Sequence, residues 1–186
     1  MIEALLAAPA RLGGVRVLAI DGPSGAGKST LAAQVVADLR ARGCRTELVS
    51  TDAFATWDDP VSWWPRLVDG VLRPLAAGVE GAYRRMDWTS GTPRPGELVR
   101  VPVPDVLVLE GVSSGRTSAR PLLSHLCWLS GGSDAERLAR TVARDGVAAQ
   151  AELGRWQRFE RGWFAVDGTA SAAGSDFRRG SSGHRA

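Results

Sequence analysis

Gly22-Pro23-Ser24-Gly25-Ala26-Gly27-Lys28-Ser29 is the stretch on which the reading of this chain turns. It has the GxxxxGK[ST] spacing, in which a glycine-rich turn points backbone N–H groups inward around phosphate oxygens. Larger side chains would obstruct that cradle. A compact ammonium then reaches the outer phosphates as a point charge, and the neighbouring hydroxyl ligates Mg²⁺. Lys28 is the only lysine among the 23 Lys and Arg residues. A bias toward arginine accounts for the other positions, but not for where the one lysine stands.

The motif needs a strand before it and a helix after it. Val15 to Ile20 is a short apolar, β-branched run that ends at Asp21-Gly22. From Thr30 to Arg42 the apolar residues Leu31, Val35, Val36 and Leu39 recur near a 3.6 period, and Gly43 suits the position just past a helix. Strand, loop and helix are all present, so Gly22 to Thr30 is read as a nucleotide-binding loop.

The 186 residues fit one domain with a single substantial core. A net charge of +3, with arginines scattered rather than clustered, gives no reason to expect a nucleic-acid partner. Cys44 and Cys127 lack metal-site spacing and are expected as buried thiols in a reducing compartment. Met1 to Ala10 is apolar but carries Glu3 and Pro9, so a short amphipathic helix is expected there rather than a secretion signal. No run is long enough to span a bilayer, and a cytoplasmic, ATP-using protein is expected.

Further along, Thr46 to Ser50 reads as a second strand ending at Thr51-Asp52. Asp58-Asp59-Pro60 offers a helix start, and Trp64, Leu67, Val68, Val71, Leu72 and Leu75 follow a helical stripe closed by Pro74 and Gly78. Trp64 is assigned to the core, and Trp63 is left open between core and ligand. Tyr83 to Pro104 predicts a β-hairpin with a loose tip at Gly91–Gly96. Asp105 to Leu109 predicts a buried parallel strand that ends at Glu110-Gly111. His125 to Leu129 is another strand candidate, and Ser133-Asp134-Ala135-Glu136 makes a capping box for a helix bearing Arg137, Arg140 and Arg144. A last helix is expected from about Val147 to Phe164, striped by Leu153, Trp156, Phe159, Trp163 and Phe164. The kinase-like domain is placed at 1–167, and 168–186 is too poor in apolar residues to be expected to order.

Alternating strands and helices predict a three-layer α/β fold with a mostly parallel sheet, a hairpin flap and an Arg-bearing lid helix. In such sheets ligands bind at the carboxyl ends of the strands, where the Gly22–Ser29 loop, Asp52 and Glu110 all fall. Phosphoryl transfer needs clamped phosphates, a bridging metal and a carboxylate at the acceptor hydroxyl. Lys28 fits the clamp, Ser29 and Glu110 the metal, and Asp52 the base. A solvated turn residue is the plain alternative for Glu110, and a helix cap for Asp52.

With these motifs in hand, the chain resembles the uridine kinase-like family of P-loop small-molecule kinases, related to phosphoribulokinase and bacterial pantothenate kinase. The resemblance rests on Gly22 to Thr30, Ser50-Thr51-Asp52-Ala53-Phe54, Met86-Asp87-Trp88, Val108-Leu109-Glu110-Gly111 and Arg137 to Asp145, in family order over about residues 13–167. It implies ATP and Mg²⁺ as cofactors, Asp52 as catalytic aspartate, Glu110 as the metal-linked glutamate, and Arg140 and Arg144 as lid arginines that close over the phosphates. It further implies a small-molecule phosphoryl acceptor, contacted by Asp52, Phe54, Tyr83, Arg84, Asp87 and Trp88. Met86-Asp87-Trp88 replaces the family's Tyr-Asp-Phe, and Gly91 stands where a histidine is expected. Trp57-Asp58-Asp59-Pro60 lacks the His-Pro element. Groups that would bond a pyrimidine nucleoside are thus missing, which puts uridine in question. Arg178 and Arg179 suggest that a final edge strand is absent or displaced. The expected function is phosphoryl transfer to a small-molecule hydroxyl. The alternatives are a nucleoside monophosphate kinase, with Arg84 and Arg85 meeting an acceptor phosphate, and a non-catalytic ATP-binding module.

Overall fold

The computed structural model describes residues 1–57 and 59–177. Helix α1 (Ile2–Ala7) leads to strand β1 (Arg16–Asp21), the phosphate loop and helix α2 (Lys28–Ala41). Strand β2 (Thr46–Ser50) ends in a 3-10 turn at Thr51–Ala53. Helix α3 (Trp64–Leu67) continues through a π-helical segment, Val68–Leu72, into α4 (Arg73–Ala76). The hairpin β3 (Gly81–Asp87) and β4 (Arg94–Val101) follows, then β5 (Val106–Glu110), β6 (His125–Leu129), α5 (Asp134–Asp145), α6 (Gln150–Asp167), α7 (Thr169–Ala172) and β7 (Ser175–Phe177).

The main sheet has the order β2-β5-β1-β6-β7, and every pairing in it is parallel. β5 is buried along its whole length, as its unbroken apolar run requires. The register sets Ile20 and Ser50 on either side of Glu110. The ends of β1, β2 and β5 therefore finish level, and the three loops that leave them meet at one edge. One face of the sheet packs Leu18, Ile20, Val106 and Val108 against Leu5 of α1 and Val35 and Leu39 of α2. The other packs Val17, Ala19, Leu107 and Leu109 beneath Leu67, Val71 and Leu75 and the hairpin residue Tyr83.

Several expectations change. Trp63 is a core residue, 1% exposed and bonded through its indole N–H to the Pro60 carbonyl, and Trp64, half-buried, packs against the same core. The helix begins at Trp64 rather than at Asp58–Pro60, with Trp63 as its N-cap. The last helix runs Gln150–Asp167 behind a 3-10 turn. Its buried side chains are Leu153, Gln157 and Glu160; of the expected stripe, Trp156, Trp163 and Phe164 are only half-buried and Phe159 is exposed. The segment after Gly168, expected to lack order, forms α7 and then β7, which pairs with β6 through Cys127, Trp128 and Leu129. Backbone hydrogen bonding to an open sheet edge orders it where apolar content does not. The Asp58 cap and Arg178–Arg179 lie outside the described residues. Cys127 is buried, but Cys44 is only partly so.

Candidate active site

The phosphate loop turns sharply between β1 and α2. Gly25 has φ +73°, and a Cβ there would stand 2.5 Å from the Arg137 carbonyl oxygen of α5. Gly22 has φ +144°, and its Cβ would meet the Leu129 carbonyl at 2.2 Å. Both positions exclude a side chain by conformation and by space. α2 begins at Lys28, two residues before the apolar stripe predicted, so Lys28 and Ser29 sit in its first turn. Lys28 is 8% exposed and donates to the Pro23 carbonyl at 3.0 Å, which folds its ammonium back over the loop.

Glu110 closes β5 beside this loop. It is 5% exposed and accepts from the Ser29 hydroxyl at 3.3 Å. Burial raises its pKa, and the Asp52 charge adds to the rise; a Ser50 hydrogen bond, the Lys28 charge and the Ser29 hydroxyl oppose it. Asp52 is exposed on the 3-10 turn after β2, with its N–H bonded to the Ser50 hydroxyl at 3.3 Å. Ser24, Gly25, Gly27, Lys28, Ser29, Thr30, Asp52, Glu110, Arg140, Thr141 and Arg144 line one cleft of about 290 Å³. The loop, both carboxylates and the lid arginines read from sequence thus converge.

Helix α5 starts with the expected capping box, in which Ser133 and Glu136 bond reciprocally. Arg140 reaches the loop itself, donating to the Gly25 carbonyl at 2.8 Å and also to the Gly131 carbonyl. Arg144 is held by Asp145 through two bonds, 2.6 and 2.7 Å. That pairing raises its pKa against the effect of burial, and the charges on Asp52 and Glu110 add to the rise.

Of the acceptor residues read from sequence, Asp52 lines this cleft and Phe54, Tyr83, Arg84, Asp87 and Trp88 do not. Phe54 is 2% exposed and stacks on Trp63 at 5.6 Å and against Tyr83 at 4.7 Å; both Phe54 and Tyr83 belong to the core. Their aromatic spacing is used for packing the hairpin onto the sheet. Arg84 donates to the Gly96 carbonyl across the hairpin at 3.0 Å, and Asp87 accepts the Thr89 N–H at 2.9 Å, shaping the turn. Trp88 meets Trp57 edge-on at 5.0 Å, and Trp57 meets Trp156 of α6 at 6.3 Å.

Two carboxylates were missed. Asp21, the last residue of β1, is fully buried and accepts three backbone N–H groups: Gly22 at 2.7 Å, Ser113 at 3.1 Å and Gly115 at 2.8 Å. It ties the mouth of the phosphate loop to the turn that follows Glu110. Burial lifts its pKa to about 7, against those hydrogen bonds and the Lys28 charge. An acid closing an apolar strand was the available signal. Glu160 of α6 is the other, 1% exposed and bonded to Ser24; a charged residue among aromatics on a helix gives no such cue.

The residues present fit Mg²⁺. Among the described residues no group of three or more His, Cys, Asp or Glu side chains could hold a metal by themselves. A hydroxyl and a carboxylate 3.3 Å apart beside a phosphate cradle are instead the partial protein donor set that Mg²⁺ takes with nucleotide phosphates.

Comparison with solved structures gives the fold. A possible uridine kinase from Bacillus stearothermophilus superposes with a TM-score of 0.66 at 21% identity, covering 89% of each chain. A protein from Silicibacter sp. TM1040, provisionally described as a fructose transport system kinase, gives 0.61 at 21% identity, covering 88% of this chain and 90% of that one. This is the P-loop kinase fold. No described family and no curated protein matches the sequence itself. Within the P-loop kinase fold, the level ends of β1, β2 and β5 supply the phosphate loop, Asp52 and Glu110. Among the described residues no helix is long and apolar enough to cross a membrane.

Proposed function

We propose that this protein is an ATP- and Mg²⁺-dependent kinase of the uridine kinase-like kind, which transfers the γ-phosphoryl group to a hydroxyl of a small molecule. One observation carries the reading: Lys28, Ser29, Glu110, Asp52 and Arg144 line a single cleft around a glycine cradle that admits no side chain. Loop amides and Lys28 hold the phosphates, and Arg140 and Arg144 offset charge on the transferring group. Asp52, exposed at the cleft, takes the acceptor hydroxyl's proton as its oxygen bonds to phosphorus and the bond to the leaving ADP breaks. Ser29 and Glu110 would hold Mg²⁺, which supplies charge neutralisation between the phosphates. No nucleic-acid or membrane partner is proposed, and a small-molecule acceptor is the partner.

Mg·ATP binding by calorimetry, followed by ADP release across a panel of nucleosides, nucleotides and sugars, tests this. Asp52→Asn is expected to leave Mg·ATP binding within about threefold of the parent and to lower acceptor-dependent ADP release about a hundredfold or more. Unchanged turnover in that variant would remove Asp52 from the base role.

A further inference from the structure

Glu160 is a buried carboxylate to which the proposed reaction assigns no part, and its surroundings are unusual. Both its carboxylate oxygens lie 3.0 Å from the Ser24 backbone N–H, and the Ser24 hydroxyl donates to it as well. Trp156 stands one helical turn earlier on α6. Burial raises the pKa of Glu160, while the Lys28 charge and the Ser24 bonds oppose the rise. Ser24 lines the phosphate cleft, whereas Glu160 lines a second cavity of about 410 Å³, with Pro23, Trp128 and Arg137. Glu160 therefore braces the loop from α6.

The same helix touches the acceptor side. Trp156 meets Trp57 edge-on, and Trp57 meets Trp88 at the end of hairpin strand β3. α6 is also fastened to the start of α5, through Gln157 to the Asp134 carbonyl at 3.1 Å and Arg161 to the Asp134 carboxylate. A buried carboxylate near the only lysine opposes a triphosphate electrostatically and costs desolvation. The Ser24 N–H and hydroxyl offset that cost only while α6 is seated on the loop.

We propose that Glu160 is a positioning residue: by fastening α6 to Ser24 of the phosphate loop, it makes α6 a strut that carries nucleotide occupancy, through Trp156 on the same helix, to the Trp57–Trp88 side at the hairpin tip. The proposal rests on the nucleotide-binding reading of the loop above. With the strut intact, Mg·ATP in the cleft steadies the hairpin tip. With it cut, the loop still binds nucleotide but the tip no longer responds.

Hydrogen exchange followed by mass spectrometry tests this on the full chain, with and without saturating Mg·ATP. In the parent protein, Mg·ATP is expected to slow exchange about threefold or more both in the Gly22–Thr30 loop and in residues 86–93. Glu160→Gln keeps the shape but not the charge, and should retain the loop protection while losing that of residues 86–93. Trp156→Ala, which removes the ring that meets Trp57, should give the same split. A merely structural role would lower stability without separating the two regions. Equal hairpin protection in the parent and both variants overturns the strut, as does a parent hairpin that ignores bound nucleotide. Absence of Mg·ATP binding by the parent overturns the functional reading and the strut with it. Binding with no split overturns the strut alone.

Discussion

The phosphate half and the acceptor half of this molecule are built on different terms. In the first, eight consecutive residues carry the work, and most of it is done by backbone whose shape is set by glycine. In the second, Asp52 with Trp57, Trp88 and Trp156 come from three segments far apart in sequence. There Phe54 and Tyr83, read as acceptor contacts, hold up the core instead. A local conformation is written contiguously in sequence, but the direction in which an aromatic side chain faces depends on what covers it. Around Trp57 the contacts are T-shaped tryptophan pairs.

The largest effect expected to test that contrast is on the phosphate side. Lys28→Met should weaken Mg·ATP binding and turnover together, by about a hundredfold or more, because a charge aimed at the phosphates is lost with no replacement. Calorimetry and ADP release read it, and a loss under about threefold would break the distinction between the halves. Next, Phe54→Ala should cost about 3–5 kcal/mol of stability in urea unfolding, as for other buried aromatics. A role in acceptor contact would raise the acceptor's KM and leave stability alone.

A smaller effect concerns pH. Asp21 has its folded-state pKa raised from 3.8 to about 7, chiefly by burial. Between those values the folded chain binds more protons than the unfolded one, so this group's contribution to stability falls as pH rises from about 4 to 7 and levels off above. Glu110 and Glu160 are raised by burial and act in the same direction. The lowered Asp105 and Asp134 act oppositely, and only as pH drops below about 4. Urea unfolding at pH 5, 6, 7 and 8 should show a shallower decline in Asp21→Asn than in the parent. An identical slope would mean that the Asp21 carboxyl does not titrate in this range.

Much of the scaffold was legible. The β5 run predicted a buried parallel strand, and the spacing of Ser133 and Glu136 predicted the cap that starts α5. Both signals depend on neighbours a few residues apart. Trp63 and Trp64 were distinguishable only once the helix start was known, since one residue rotates an α-helical face by about 100°. β7 was missed because its order comes from pairing with β6 rather than from its own apolar content.

By itself, the sequence determined the phosphate cradle, its lysine and hydroxyl, and the carboxylates Asp52 and Glu110 at strand ends, since each is encoded by residue type within a short, contiguous stretch. Tertiary structure alone decided that Asp21 would bridge the loop to the turn after β5, and that Glu160 would reach Ser24 from 136 residues away. Both are buried charges, and a buried charge is tolerated only where distant backbone and side-chain donors converge on it. No stretch of sequence displays that convergence, because it exists only once the chain has folded.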